Sequence, residues 1–220
     1  MNTNVIKAFP YLYSRRNLIL TLLFLYFYWL MVKITLYYVP FSTTAAFLKI
    51  KQTEVTTLPE YIYIFYAHVY TSIFLLLFGF IQFFNFKSKA GKLIHRYSGY
   101  QYIILLLVFA APSGIYMGFH ANGDFWSKIS FVILGTLWWI STFIALIRIK
   151  QHRFVAHRNW MMRSYALSLS AVTLRLWKVI LVYCFELPPM NTYQIIAWLG
   201  WIPNLLIAEL LIYNKSTQKS

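Results

Sequence analysis

Six stretches of this chain stay apolar over enough residues to cross a lipid bilayer: roughly 17–39, 61–84, 97–118, 127–148, 160–185 and 193–213. One helical crossing of a hydrocarbon core takes about 20 mostly apolar residues. The composition agrees, with 60% hydrophobic residues, 11% charged residues and abundant Phe, Tyr and Trp. This is the profile of a polytopic membrane protein and not of a soluble domain. The fold expected is all-α, one six-transmembrane-helix bundle spanning 17–213, with a basic N-terminal segment 1–16 and a tail 214–220. Connections are short except for 40–60, whose Pro40, Pro59 and "STT" predict a surface connection, with an interfacial helical turn at "AAFLKI". No small-residue cleavage site follows the first span, which is therefore read as a retained helix and not a signal peptide.

Lys and Arg are retained on the cytoplasmic side during insertion. Lys7, Arg15, Arg16, Lys87, Lys89, Lys92, Arg96, Arg148, Lys150, Arg153, Arg158, Arg163, Lys215 and Lys219 all fall on one side of a six-span chain. Lys49, Lys51 and Lys128 share the other side with Glu54, Glu60, Asp124 and Glu186. Both termini are therefore expected in the cytoplasm, the chain being multi-pass in the cell inner (plasma) membrane. The formal charge of +15 is spread over short loops at span ends, so topology accounts for it and a nucleic-acid partner is not expected. The expected partners are the bilayer itself and anionic lipid head groups on the cytoplasmic side, with a membrane-protein partner or a homo-oligomer as further candidates. Cys184 is the only cysteine, which excludes an internal disulfide and any multi-thiolate site.

Helical geometry sets which residues share a face. In the fifth span His157 and Arg175 fall on one line about 27 Å apart, with Met161, Ser164 and Ser168 beside it. A polar, small-residue stripe of this kind suits a bundle interior, where it packs closely and hydrogen-bonds. In the second span His68, Ser72, Gly79 and Gln82 form a similar line. In the third, His95 opens the helix and Tyr102, Ser113 and His120 follow, with Pro112 and Gly114 able to bend the line. Counted from the cytoplasmic ends, His68 and Arg175 lie about 24 Å and about 21 Å deep, and Glu209 about 6 Å deep, level with His95 and His157.

Two layers emerge. In the cytoplasmic one, His95, His157 and Glu209 lie among several arginines. These groups serve simply as span-end anchors with Glu209 paired to an arginine, as two axial histidines for haem b, as a His–His–carboxylate metal site, or as a proton relay. In the deeper layer His68 stands with Arg175. His68 is either a satisfied core histidine or a neutral ligand or proton acceptor beside a cation. Arg175 needs an acceptor, be it a haem propionate, a substrate anion, a backbone carbonyl or a tyrosine. Lys178 can snorkel, and His120 and His152 read as surface residues. No phosphate-cradling glycine loop, Gly-x-Ser-x-Gly elbow, His-Glu-x-x-His or Cys-x-x-Cys is present, so the enzyme classes that depend on them drop out.

Four ordered blocks carry a resemblance: "HVYTSIFLLLFGFIQF" at 68–83, "HRYSGYQY" at 95–102, "HRNWMMRSYALSLSAVTLRLW" at 157–177 and "AWLGWIPNLLIAE" at 197–209. Together they resemble the bacterial membrane-protein family catalogued as domain of unknown function 2306. The resemblance covers the chain from about the second span onward. Its pattern is met at His68, Gln82, His95, Arg96, Gly99, His157, Trp160, Met161, Arg163, Arg175, Trp198, Asn204 and Glu209. It implies a fold and a bundle-facing residue set, and no activity. The arrangement of histidines on spans two, three and five is also similar to dihaem cytochromes b of the ascorbate-dependent transmembrane ferric reductase type, although His68 lacks a level partner. The candidate cofactor-binding residues are thus His68, His95, His157 and Arg175, with His95, His157 and Glu209 as the alternative metal set. The leading expectation is a haem- or redox-associated membrane protein. The alternative is a small proton-coupled transporter, or an assembly factor for a membrane complex, using Arg175, His68 and Glu209.

Overall fold

A computed structural model describes residues 15–84 and 88–217. Lys7, Lys87 and Lys219 lie outside the described residues. Among those described, helix is the regular structure throughout and no strand occurs. Six helical segments are long and apolar enough to cross a membrane: Asn17–Leu36, Tyr61–Ile81, Lys89–Phe119, Phe125–Lys150, Phe154–Phe185 and Pro189–Thr217. The chain is a multi-pass membrane protein.

Span one is α1 (Arg15–Leu36). A 3₁₀ turn (Ala46–Ile50) and a short α2 (Gln52–Thr57) follow, and α3 (Tyr61–Ile81) forms span two. Span three is compound: α4 (Lys89–Ile104), a π-helical stretch (Leu105–Ala110) and α5 (Ala111–Phe119). Span four is a single helix, α6 (Phe125–Lys150). Span five divides into α7 (Phe154–Ser168) and α8 (Ser170–Phe185), and span six into α9 (Pro189–Leu199) and α10 (Ile202–Thr217).

Local chemistry sets these boundaries. Ser88 accepts from the Gly91 N–H (3.0 Å) at the start of α4, and Asp124 accepts from the Ser127 N–H (3.0 Å) at the start of α6, each satisfying an orphan donor. Gly123, with φ of 90°, makes the tight turn into α6 that a side chain would strain. α4 begins before His95, so His95 lies inside a helix instead of opening one.

The 40–60 connection is not a plain surface segment. The interfacial turn at "AAFLKI" forms, and it is pinned: Leu48 is 0% and Lys51 1% exposed. Leu48 joins Tyr38, Tyr61, Ile62, Phe65 and Tyr66 in a cluster at the end opposite the basic loops. Aromatic residues at a span end supply enough apolar area to hold a connection down.

The main core lies deeper, where Leu75, Tyr102, Leu106, Ala110, Ala111, Trp138, Tyr165, Leu167 and Trp201 bring together spans two to six. Spans three and four approach closely through glycines. A Cβ at Gly135 would lie 2.7 Å from Ile115 Cγ1, and one at Gly118 3.1 Å from the Val132 backbone nitrogen. Small residues at such crossings are how helices pack where lipid offers no hydrophobic gain. α7 packs along α6, whereas α8 turns toward α9 and leaves α3.

Candidate functional site

The polar stripe of span five becomes a hydrogen-bonded knot. Tyr102 Oη lies 2.8 Å from both Ser164 Oγ and Ser168 Oγ, Thr142 Oγ1 is 2.7 Å from Ser164 Oγ, and Trp138 Nε1 donates to Ser168 Oγ at 2.9 Å. Every member is buried. Polar groups from spans three, four and five thus satisfy one another where water is absent, as a low-dielectric interior requires. Ser164 and Ser168 act as small partners for large rings, and the knot leaves the bundle centre filled.

His68 sits on α3 against the interrupted part of span three. Its Nδ1 donates to the Ala110 carbonyl (2.9 Å) and reaches Ser113 Oγ (3.2 Å). Pro112 has no N–H to return to the helix ladder, and the π-helical stretch just before it brings the Ala110 carbonyl to the imidazole. Isolated π-turns of this kind recur at functional positions. Gly114 makes the room, because a Cβ there would lie 3.0 Å from His68 Cε1. A carbonyl only accepts, so Nδ1 carries the hydrogen and Nε2 of the neutral ring keeps its lone pair.

His157 repeats this arrangement at the basic end, its Nδ1 donating to the Ala145 carbonyl of α6 at 2.8 Å. His95 lies on the neighbouring span three, within electrostatic range of His157 and in no direct contact with it among the described residues. No side-chain hydrogen bond holds His95 among the described residues, and it is exposed. Gln82 bonds instead to the His95 backbone carbonyl (3.1 Å) and to Ser98 Oγ (2.6 Å).

Glu209 does not join the histidines. Both of its carboxylate oxygens are taken by Arg163, at 2.5 Å from Nε and 2.8 Å from Nη2, and that guanidinium lies over the Trp160 ring, 4.5 Å from its centroid. Among the described residues no three His, Cys, Asp or Glu side chains converge on a metal position. The His95–His157–Glu209 set is therefore not assembled, for the physical reason that a bidentate arginine already uses the carboxylate.

Arg175 departs from its expected facing. It is exposed on the isolated chain and bonds, at Nη1, to the Ala171 carbonyl of its own helix (2.5 Å). The line from His157 assumed a uniform helix, and at Leu169 the helix is interrupted by one tightened turn, where the Leu169 carbonyl accepts from the N–H of Val172 (2.9 Å) as well as from that of Thr173 (3.0 Å). Arg175 is within electrostatic range of His68 and of Tyr38. His152 is exposed as expected. His120 is half-buried, its ring tilted 4.9 Å from Tyr116 and its carbonyl accepting from Lys51.

The interruptions in spans five and six face each other. Asn204 Nδ2 donates to the Ala166 carbonyl (3.2 Å), to Thr173 Oγ1 (3.0 Å) and to the Gly200 carbonyl (3.3 Å), and Thr173 Oγ1 itself donates to the Gly200 carbonyl. Pro203, which lacks an N–H, was the available sequence signal for the break in span six. The break in span five has no proline or glycine to announce it.

At the basic end a cavity of about 220 Å³ opens between spans two, five and six, with Arg158, Lys215 and Gln82 at its polar side and Gly79, Met161 and Tyr165 among its apolar walls. Neither His95 nor His157 lines it.

A family model described as "Predicted membrane protein (DUF2306)" matches residues 65–212. The chain belongs to this family. No curated protein and no solved structure matches it. The DUF2306 match runs from the early turns of span two to the last turns of span six, and takes in His68, His95, His157, Arg175, Asn204 and Glu209. Span one and the pinned 40–60 connection of this DUF2306 protein lie before it.

Proposed function

We propose that the protein is a haem- or redox-associated protein of the inner membrane, with His95 and His157 as the imidazole ligands of one centre at the basic end. The observation that carries this reading is the 2.8 Å hydrogen bond from His157 Nδ1 to the Ala145 carbonyl. A ligating histidine is held in this way, its second nitrogen anchored so that the first is oriented and more basic. His95 comes from a different span, lies within electrostatic range of His157 and has a ring with no hydrogen bond among the described residues. The donor set suits an axial pair in a helix bundle; donor chemistry, not cavity shape, supports the fit. A haem bound there would supply one-electron chemistry, and the chain's own part is to orient Nε2 of His157 through Ala145 and to present His95 from span three.

Absorbance tests the reading. The full chain, produced with haem available and purified in detergent, is expected to show a Soret band that is lost in His95→Ala and in His157→Ala while both variants remain monodisperse. A colourless wild-type protein, or a band unchanged in both variants, overturns it.

A second reading, a small proton-coupled carrier, is favoured by the deeper layer. Transporters build sites where discontinuous helices face each other near mid-membrane, and the tightened turns of spans five and six face each other here through Asn204 and Thr173. His68 offers Nε2 as the proton acceptor and Arg175 the positive charge for an anion, whereas Glu209 is committed to Arg163. Proton uptake driven by an anion gradient in proteoliposomes, lost in His68→Ala, separates it from the first reading.

A further inference from the structure

From the cavity at the basic end we infer a binding site for the phosphate head group of an acidic phospholipid. It stands apart from the histidine pair and does not depend on the haem reading. Two exposed cations from different spans line it, Arg158 near the start of α7 and Lys215 near the end of α10. Neither makes a hydrogen bond or an ion pair among the described residues, whereas Arg163, close by in sequence, is neutralised by Glu209. No carboxylate lines the cavity. An unpaired guanidinium presents a planar fork that matches phosphate oxygens, and an ammonium adds a second point charge.

The remaining walls identify the ligand as an amphiphile. Gly79, Phe83, Met161, Met162 and Tyr165 form an apolar floor. The floor depends on Gly79, because a Cβ there would lie 2.3 Å from Tyr165 Cδ2 and the ring could not lie across α3 as it does. Tyr165 Oη donates to the Leu76 carbonyl (3.1 Å), which fixes the ring as a wall. Phe83 is exposed beside the opening. Phe83, Arg158 and Lys215 stand near span ends, at the depth of lipid phosphates, while Met161, Met162 and Tyr165 carry the apolar wall inward toward the core, where the first methylenes of a lipid lie. A free phosphate ion would use the cations and leave the apolar floor without a partner; an acidic lipid uses both.

The experiment uses the full chain in mixed detergent micelles. Retention of phosphatidylglycerol is measured against phosphatidylcholine by native mass spectrometry, with inorganic phosphate as a separate arm in thermal unfolding. Wild type is expected to retain phosphatidylglycerol preferentially. Arg158→Gln and Lys215→Gln are each expected to weaken that retention about fivefold, the fold-change equivalent to ~1 kcal/mol for one cation near a charged lipid surface. Lys92→Gln and Lys150→Gln, which remove cations at the same end but outside the cavity, are expected to leave it unchanged. Equal retention of the two lipids, equal losses in all four variants, or protection by inorganic phosphate as large as that by phosphatidylglycerol would each overturn the site.

Discussion

A single lysine shows how far side-chain type and side-chain environment can diverge. Lys51 is 1% exposed, with its ammonium 2.6 Å from Glu54 Oε1 and donating also to the His120 carbonyl. It ties the 40–60 connection to the end of span three. Removing one partner of such a pair leaves a charge buried, at a cost of about 3–5 kcal/mol where burial is complete, whereas replacing both by apolar groups of similar volume is often neutral. Lys51→Met with Glu54→Met is therefore expected to unfold at nearly the wild-type temperature, and Glu54→Gln alone below it, in a thermal melt in detergent.

Acid should act on the same region. Burial is the largest single influence on Glu54 and pushes its carboxyl up, but the Lys51 hydrogen bond and charge outweigh it, and the net displacement is downward. Glu60 is held down by the hydrogen bond from Tyr116, and Asp124 by the Ser127 N–H. A carboxyl whose folded value is depressed stabilises the fold above its unfolded value, and that contribution is lost as pH falls through the folded one. The protection factors of amides in 46–57, that is exchange corrected for its intrinsic pH dependence, are thus expected to be flat through neutral pH and to fall below the ordinary carboxylate range of about 4. Unchanged protection under acid would show that the apolar cluster alone holds this connection.

Arg175 is the residue-scale counterpart at depth. A guanidinium in hydrocarbon costs roughly 2.5–3.5 kcal/mol on insertion scales, and its hydrogen bond to Ala171 is made within its own helix. Arg175→Leu is expected to remain monodisperse and to melt no lower than wild type. If the deep layer carries anions, the same variant loses anion-driven proton uptake, and Arg175→Lys does not restore it, because an ammonium lacks the two parallel donors. A Leu variant that aggregates would instead make the arginine structural.

At the scale of the element, the interruptions matter more than the helices. Asn204 satisfies carbonyls on both sides of the facing breaks in spans five and six. Interhelical hydrogen bonds in membranes average about 0.6 kcal/mol and reach about 1.7, and Asn204 makes two contacts of this kind, to the Ala166 carbonyl and Thr173 Oγ1, beside one to Gly200 within its own span. Asn204→Leu is expected to lower stability by about 1–2 kcal/mol in reversible denaturation, with the helix content by circular dichroism unchanged. Gly79→Ala tests a different element contact. With a Cβ 2.3 Å from the Tyr165 ring, spans two and five must separate, and overpacking of this sort costs about 1–3 kcal/mol. A Gly79→Ala protein as stable as wild type would mean that Tyr165 can swing away freely.

For the molecule as a whole, the basic residues sort to one end of the bundle, and the expected consequence is cytoplasmic N and C termini. A reporter fused after Ser220 should be active only on the cytoplasmic side; activity outside would invert the topology and place the phosphate-binding cavity in the other leaflet. The number of spans and their helical character were legible in the sequence, because apolar length and helical period are local properties. So was the bundle-facing role of Ser164 and Ser168. Three things were not. The facing of Arg175 depends on a break at Leu169 that no Pro or Gly announces. The commitment of Glu209 to Arg163 is a choice among several cations at one level. The burial of Lys51 depends on an aromatic cluster contributed by the end of span one and the start of span two. Each is a contact between segments far apart in sequence, and periodicity within one helix carries no information about which neighbour arrives. The sequence by itself determined a six-span helical bundle with histidines on spans two, three and five. Only the tertiary structure decided which nitrogen each anchored histidine keeps free, which charges cancel, and where unpaired cations meet an apolar floor, because those outcomes follow from the approach of helices to one another.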